Sequence, residues 1–102
     1  MGLKIYWTEF AEKELQKIFE YYNKKVNYKV AITIVEGIFN ETLKLQKHDK
    51  IGQVEALLSD RKQDFRYLIY KNYKIIYWIN SEEHWIEIND VFDTRQNPIK
   101  IK

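Results

Sequence analysis

The sequence has no cysteine, one proline and three glycines. Without cysteine there is no disulfide scaffold, no thiolate zinc site and no cysteine nucleophile. Gly2, Gly37 and Gly52 are too scattered to form a glycine-rich phosphate loop. No apolar run approaches the ~20 residues of a membrane span. The start, Met1-Gly2-Leu3-Lys4-Ile5-Tyr6-Trp7, lacks the long apolar stretch and small-residue cleavage site of a secretory leader. Trp7 also stands where N-myristoylation wants a Ser or Thr. A cytoplasmic chain that meets no membrane is therefore expected. Histidine is scarce too: His48 and His84 lie alone in polar stretches, and neither Ser59 nor Ser81 has a base nearby. The acids Glu87, Asp90 and Asp93 have no His or Cys companion at ligand spacing. No metal and no cofactor are expected.

What is present is enough for one domain. The 102 residues are 45% hydrophobic and 16% aromatic, which excludes low-hydrophobicity disorder, and the length fits a single domain over 1–102. Leu3 to Trp7 reads as a first strand. Thr8 can cap the following helix, with Glu9 and Glu12 in the first turn where the helix dipole favours negative charge. Ala11, Leu15, Ile18, Phe19, Tyr22 and Val26 then recur along one helical face, with Phe10 at its edge. Asn23-Lys24-Lys25 weakens that pattern. A second stripe follows in Val30/Ala31, Ile34/Val35, Ile38/Phe39, Thr42 and Leu45. Gly37 inside it costs about 1 kcal/mol against Ala, which close packing of the first helix on the second would explain. The short connection makes the two helices an antiparallel hairpin.

Lys47 to Gln53 is a polar loop, and Val54 to Leu58 a brief apolar patch that reads as a turn or a short strand. From Phe65 the period changes to two. Phe65 to Tyr70 and Tyr73 to Ile79 form a hairpin around Lys71-Asn72, with Asn72 as the residue that tolerates positive φ. Ser81 to His84 is the next turn, Trp85 to Phe92 the last strand, and Pro98 marks the end of regular structure. The expected class is α+β, in the order β-α-α-β-β-β: a helical hairpin on a mostly antiparallel sheet.

Charge is nearly balanced at 17 Lys+Arg against 15 Asp+Glu, a net +2, so only local clustering could mark an anionic partner. Residues 61–74 carry Arg61, Lys62, Arg66, Lys71 and Lys74 against Asp64 alone. Residues 82–93 carry Glu82, Glu83, Glu87, Asp90 and Asp93 with no Lys or Arg. A basic hairpin beside an acidic strand serves equally as a polar site or as complementary cross-strand pairs. Tyr67, Tyr70, Tyr73 and Tyr77 add π-faces suited to base stacking, although strands favour tyrosine in any case.

The ordered set Trp7-Thr8, Ala11, Leu15, Ile18, Tyr22, Ile51-Gly52, Phe65-Arg66-Tyr67-Leu68 and Asn72-Tyr73-Lys74-Ile75-Ile76-Tyr77 resembles the RelE/ParE superfamily of bacterial toxins. The tail Val91-Phe92-Asp93-Thr94-Arg95-Gln96-Asn97-Pro98 is similar to the ending of the ParE-like branch. The resemblance runs from about residue 3 to 98. It implies a toxin of a type II toxin–antitoxin pair, neutralised by a cognate antitoxin, with DNA gyrase as target in the ParE-like branch. In the RelE-like branch it implies ribosome-dependent cleavage of messenger RNA, with Lys74 and Arg95 as the catalytic candidates. A relative that keeps the antitoxin but has lost toxicity is a third reading.

The resemblance makes Arg61, Arg66, Lys71, Lys74, Tyr77 and Arg95 the expected target contacts. RNA cleavage by attack of a 2′-OH needs a proton acceptor and cations for the phosphate. Lys74 stands where the RelE-like pattern has an arginine, keeping the charge but not the planar fork. Asp93 stands where many relatives have histidine. With a two-residue turn at Lys71-Asn72, Ile69 faces Lys74, together with Tyr67 and Phe65, while Arg66 points the other way with Leu68 and Tyr77. The nuclease set is thus depleted, which favours the ParE-like branch. An acidic or amphipathic antitoxin segment that orders as it binds is expected over the basic hairpin, with Phe10, Tyr22 and Trp85 as candidates for an apolar groove.

Overall fold

A computed structural model describes residues 2–96, so Pro98 and the Asn97-Pro98 end of the tail lie outside the described residues. Strand β1 (Lys4–Trp7) leads into α1 (Glu9–Lys25), and α2 (Tyr28–Leu43) runs on into a 3-10 turn at Lys44–Gln46. Strand β2 (Gln53–Val54), a 3-10 turn at Ala56–Leu58, β3 (Arg66–Tyr70), β4 (Tyr73–Asn80) and β5 (Trp85–Asp93) complete the chain. The strands form one sheet in the order β1-β5-β4-β3-β2, antiparallel except where β1 lies parallel to β5.

The helix signals act locally. Thr8 Oγ1 accepts from the Ala11 N–H at 3.1 Å, and Asn27 Oδ1 accepts from the Val30 N–H at 2.8 Å, so both helices are N-capped. Lys24 and Lys25 close α1 where cations suit the dipole. Because the helix stops there, Val26 leaves the apolar stripe and is 56% exposed. The hairpin packs on one face of the sheet. Ala11, Ile38, Leu45, Leu68, Ile75, Tyr77, Ile86, Ile88 and Val91 form the main core, with Leu15, Ile18, Tyr22 and Ile34 packed against it. A smaller cluster of Leu58, Phe65 and Ile76, flanked by Tyr67, Trp78 and Phe92, lies on the outer face.

Several expectations need correction. The apolar patch Val54 to Leu58, expected as a turn or a short strand, takes part in both, Val54 closing the strand Gln53–Val54 and Ala56–Leu58 forming the 3-10 turn, so the sheet has one strand more than the expected order. In the β3–β4 turn it is Lys71 that takes positive φ, at 53°, and not Asn72. Gly37 does not serve helix-on-helix packing. A Cβ there would lie 2.1 Å from the Tyr70 hydroxyl, so the glycine makes room for a ring of β3. A bulge also interrupts the last pair of strands: Tyr77 faces Ile88 and Ile76 faces Asp90, leaving Asn89 over. Its effect is a change of parity. Ile86 and Ile88 face the helices before it, Val91 and Asp93 after it.

Candidate functional site

The β3–β4 turn is tied to the end of β5. The Asn72 carbonyl accepts from the Thr94 N–H at 2.8 Å and from the Thr94 hydroxyl at 3.0 Å. This brings Lys71 and the segment bearing Arg95 to the same end of the molecule. Arg95 grips Asp93 with a fork: Nε donates to Oδ1 at 3.0 Å and Nη2 to Oδ2 at 2.8 Å, while the Arg95 backbone N–H donates to Oδ1 at 2.8 Å. These bonds, chiefly the side-chain one, hold the Asp93 carboxyl down at about 2, against partial burial that works the other way. The Arg95 side chain is nevertheless 70% exposed, so its remaining N–H groups are available to an incoming phosphate or carboxylate.

Beside this fork, the end of α1 and the end of β5 enclose a cleft of about 370 Å³. Ile18 and Val91 give it an apolar lining, Tyr21, Tyr22 and Tyr73 polar-tipped walls, and Lys17 and Arg95 two cations. Tyr73 donates to the Tyr22 hydroxyl at 3.1 Å. Burial first, and then this hydroxyl contact, raises the Tyr73 phenol well above its ordinary range, so it remains a neutral donor at physiological pH. The Lys17 ammonium is held by Glu14 at 2.9 Å. The cleft therefore combines apolar area with a few oriented polar groups, which is what an amphipathic side chain needs.

The other expected contact residues are dispersed. The register pairs Ile69 with Lys74 and Arg66 with Tyr77, so Lys74 and Arg66 are on opposite faces, as a two-residue turn requires. Lys74 Nζ lies 2.5 Å from Glu55 Oε1 and 4.1 Å from the centre of the Tyr67 ring. Arg66 donates to the Gly52 carbonyl at 3.1 Å and to Asp64 at 3.3 Å. Tyr77 is fully buried: its hydroxyl donates to the Asp49 carbonyl at 2.9 Å and accepts from the Gly52 N–H at 3.0 Å. It supports the loop before β2 and leaves no surface for a target to touch. Burial pushes its phenol upward, partly offset by the Gly52 bond. Arg61 is exposed in the loop between the second 3-10 turn and β3.

Lys71 and Arg95 thus share one end, Arg66 opens β3 at its opposite end with Arg61 in the loop before it, and Lys74 is held on the outer face. The groove candidates separate as well: Tyr22 lines the cleft, whereas Trp85 stacks on Tyr6 on the outer face. Sequence reasoning misses Glu55, although an acid inside the apolar patch Val54 to Leu58 is a signal for a buried partner. Among the described residues, no group of three or more His, Cys, Asp or Glu is placed to hold a metal ion. No described helix is long and apolar enough to cross a membrane.

A family model described as the ParE toxin of the type II toxin–antitoxin system parDE matches residues 5–98. No curated protein matches the sequence. Among solved structures, the fold is similar to the chromosomal ParDE toxin–antitoxin system from P. aeruginosa, with a TM-score of 0.73 at 18% identity, over 90% of this chain and 96% of that one. It is also similar to a mutant of E. coli toxin RelE in the free state, at TM-score 0.61 and 15% identity, covering 91% and 84% of the two chains. The RelBE2 toxin–antitoxin complex from Mycobacterium tuberculosis gives 0.57 and 17%, covering 91% and 99%.

Proposed function

The chain belongs to the ParE toxin family of type II toxin–antitoxin systems, and from that premise we propose that it arrests growth by engaging DNA gyrase through its Lys71–Arg95 end until a cognate antitoxin covers that end. The observation that carries the choice of target is the fork between Arg95 and Asp93. Cleavage of RNA through its 2′-OH requires a base poised near the working pH. Asp93, where the resemblance places a histidine in many relatives, is a carboxylate held at about 2 and clamped by a guanidinium. It is a weak proton acceptor. Lys74, one of the two catalytic candidates for a nuclease, spends its charge on Glu55.

A protein target asks less of the chain. It needs an exposed cation at a fixed position, and Arg95 provides one beside an amphipathic cleft. The neighbours solved as toxin–antitoxin systems support an antitoxin partner. An amphipathic antitoxin segment that puts an apolar side chain between Tyr21, Tyr22 and Tyr73 and an acid toward Arg95 would mask the same end. Purified protein is assayed for inhibition of gyrase supercoiling and, in parallel, for ribosome-dependent messenger RNA cleavage by primer extension. Inhibition of gyrase with intact messenger RNA is the expected result. Codon-spaced new 3′ ends with gyrase unaffected would overturn the reading in favour of a RelE-like nuclease. A preparation that binds the product of the neighbouring reading frame but does neither would be a non-toxic relative.

A further inference from the structure

Across the outer face of the sheet, far along β5 from Arg95, three side chains stand in a row. Tyr6 of β1, Glu87 of β5 and Trp78 of β4 are direct register partners. Trp85, two residues earlier on the same face of β5, stacks on Tyr6 with ring centres 4.5 Å apart and planes 21° from parallel. Glu87 is fixed among these rings. Trp78 Nε1 and Asn89 Nδ2 donate to its Oε2 at 3.1 and 2.8 Å, and Trp85 Nε1 donates to Oε1 at 3.2 Å.

All three donors are neutral. They hold the carboxylate in position without compensating its charge, and Glu87 has no ion pair among the described residues. Lys4, opposite Trp85 in the next row, makes none with it. Glu82 and Glu83, in the turn between β4 and β5, add negative charge at this end of the sheet. The rings add to it, because the faces of indole and phenol are themselves negative. Tyr6 is 43% exposed, and Trp78, Trp85 and Glu87 are partly exposed. An anionic ligand such as a nucleic acid is disfavoured here. A cation is favoured, and its shape matters: a planar guanidinium can lie against a ring while its fork donates to a carboxylate, whereas an ammonium is a strongly hydrated point charge.

We propose that the Tyr6–Trp85–Glu87–Trp78 surface is a docking site for an arginine side chain of a protein partner. Its chemistry is independent of which target the toxin attacks. The test is a titration of the 15N-labelled full-length chain with N-acetyl-arginine methylamide, following the three indole N–H resonances by NMR. Trp7 is the internal control, since it lies on the helix-facing side against Phe39. Saturable shifts of Trp78 and Trp85 with Trp7 unmoved are expected, with the lysine analogue at least about threefold weaker. Glu87→Gln should weaken the arginine response about tenfold. Tyr6→Ala, on an edge strand, tests the stacking surface separately should Glu87→Gln disturb the fold. Unmoved Trp78 and Trp85 resonances would overturn the proposal. So would equal responses to the arginine and lysine analogues, or an undiminished response in folded Tyr6→Ala.

Discussion

Lys74 and Glu55 meet across the outer face of the sheet, Nζ 2.5 Å from Oε1, with side chains only 18% and 4% exposed. The carboxylate also accepts from the Leu57 N–H at 3.0 Å, so it begins a 3-10 turn while it neutralises the lysine. Removing one partner of a largely buried pair strands the other charge, and typically costs about 3 kcal/mol. Lys74→Ala should therefore lower the unfolding free energy read from urea curves by that order, and Glu55→Ala similarly. The double variant Glu55→Leu with Lys74→Met should recover most of the loss, because apolar residues of similar volume need no partner. A Lys74→Ala protein of unchanged stability would mean that the pair is solvated in solution.

Tyr77 gives a second stability test, separated from charge. Its hydroxyl ties the buried face of β4 to the loop before β2, through both Asp49 and Gly52. Tyr77→Phe keeps the ring and leaves the Gly52 N–H without its partner, an expected loss of about 1–3 kcal/mol. Hydrogen exchange should locate the effect: the Gly52 amide loses protection while amides of α1 keep theirs. Equal protection in both proteins would mean that the hydroxyl does not hold the loop.

Much of this arrangement is legible in the sequence, and the illegible parts have identifiable causes. The helix caps at Thr8, the period change at Phe65 and the two-residue turn at Lys71-Asn72 are local signals, and each has its expected consequence. The opposite facing of Lys74 and Arg66 follows from that turn alone. Gly37 could not be explained so simply, because the ring that needs its space comes from Tyr70 on a strand 33 positions later. The bulge at Asn89 is likewise invisible to a period-two pattern, yet it brings Asp93 to the helix side opposite Tyr73 and hence to the cleft. Basic residues close in sequence need not be close in space: Arg66 and Lys74 serve different loops on different faces.

Asp93 should give the protein an acid-sensitive contribution to stability. Its folded value of about 2 lies below the ~3.9 of an unfolded aspartate. A depressed value means that stabilisation is complete above pH 4 and is lost as pH falls from 4 towards 2, since the unfolded state then binds the proton first. Its partner Arg95 is mostly exposed, so solvent screening limits the contribution to about 1 kcal/mol. Denaturant curves for the native chain and Asp93→Asn should differ by this amount at pH 6 and converge by pH 2. A difference that persists at pH 2 would point to packing of Asp93, not its charge.

Arg95 separates function from fold most cleanly. Its guanidinium is exposed and, among the described residues, its fork joins only Asp93, two residues away, so Arg95→Ala should leave the thermal midpoint within a few degrees. The same change should reduce gyrase inhibition about tenfold or more, the order expected for losing a charge-assisted contact. Arg95→Lys should recover only part, because an ammonium cannot keep one edge on Asp93 and present a second planar edge to the target. Asp93→Asn frees the arginine without removing it, and should retain inhibition. The pattern of loss in Arg95→Ala, partial recovery in Arg95→Lys and retention in Asp93→Asn would identify the cation as the contact and the carboxylate as its positioning partner. If folded Arg95→Ala inhibits as well as the native chain, the target contact lies elsewhere, and the exposed Lys71 on the neighbouring turn is the next side chain to remove.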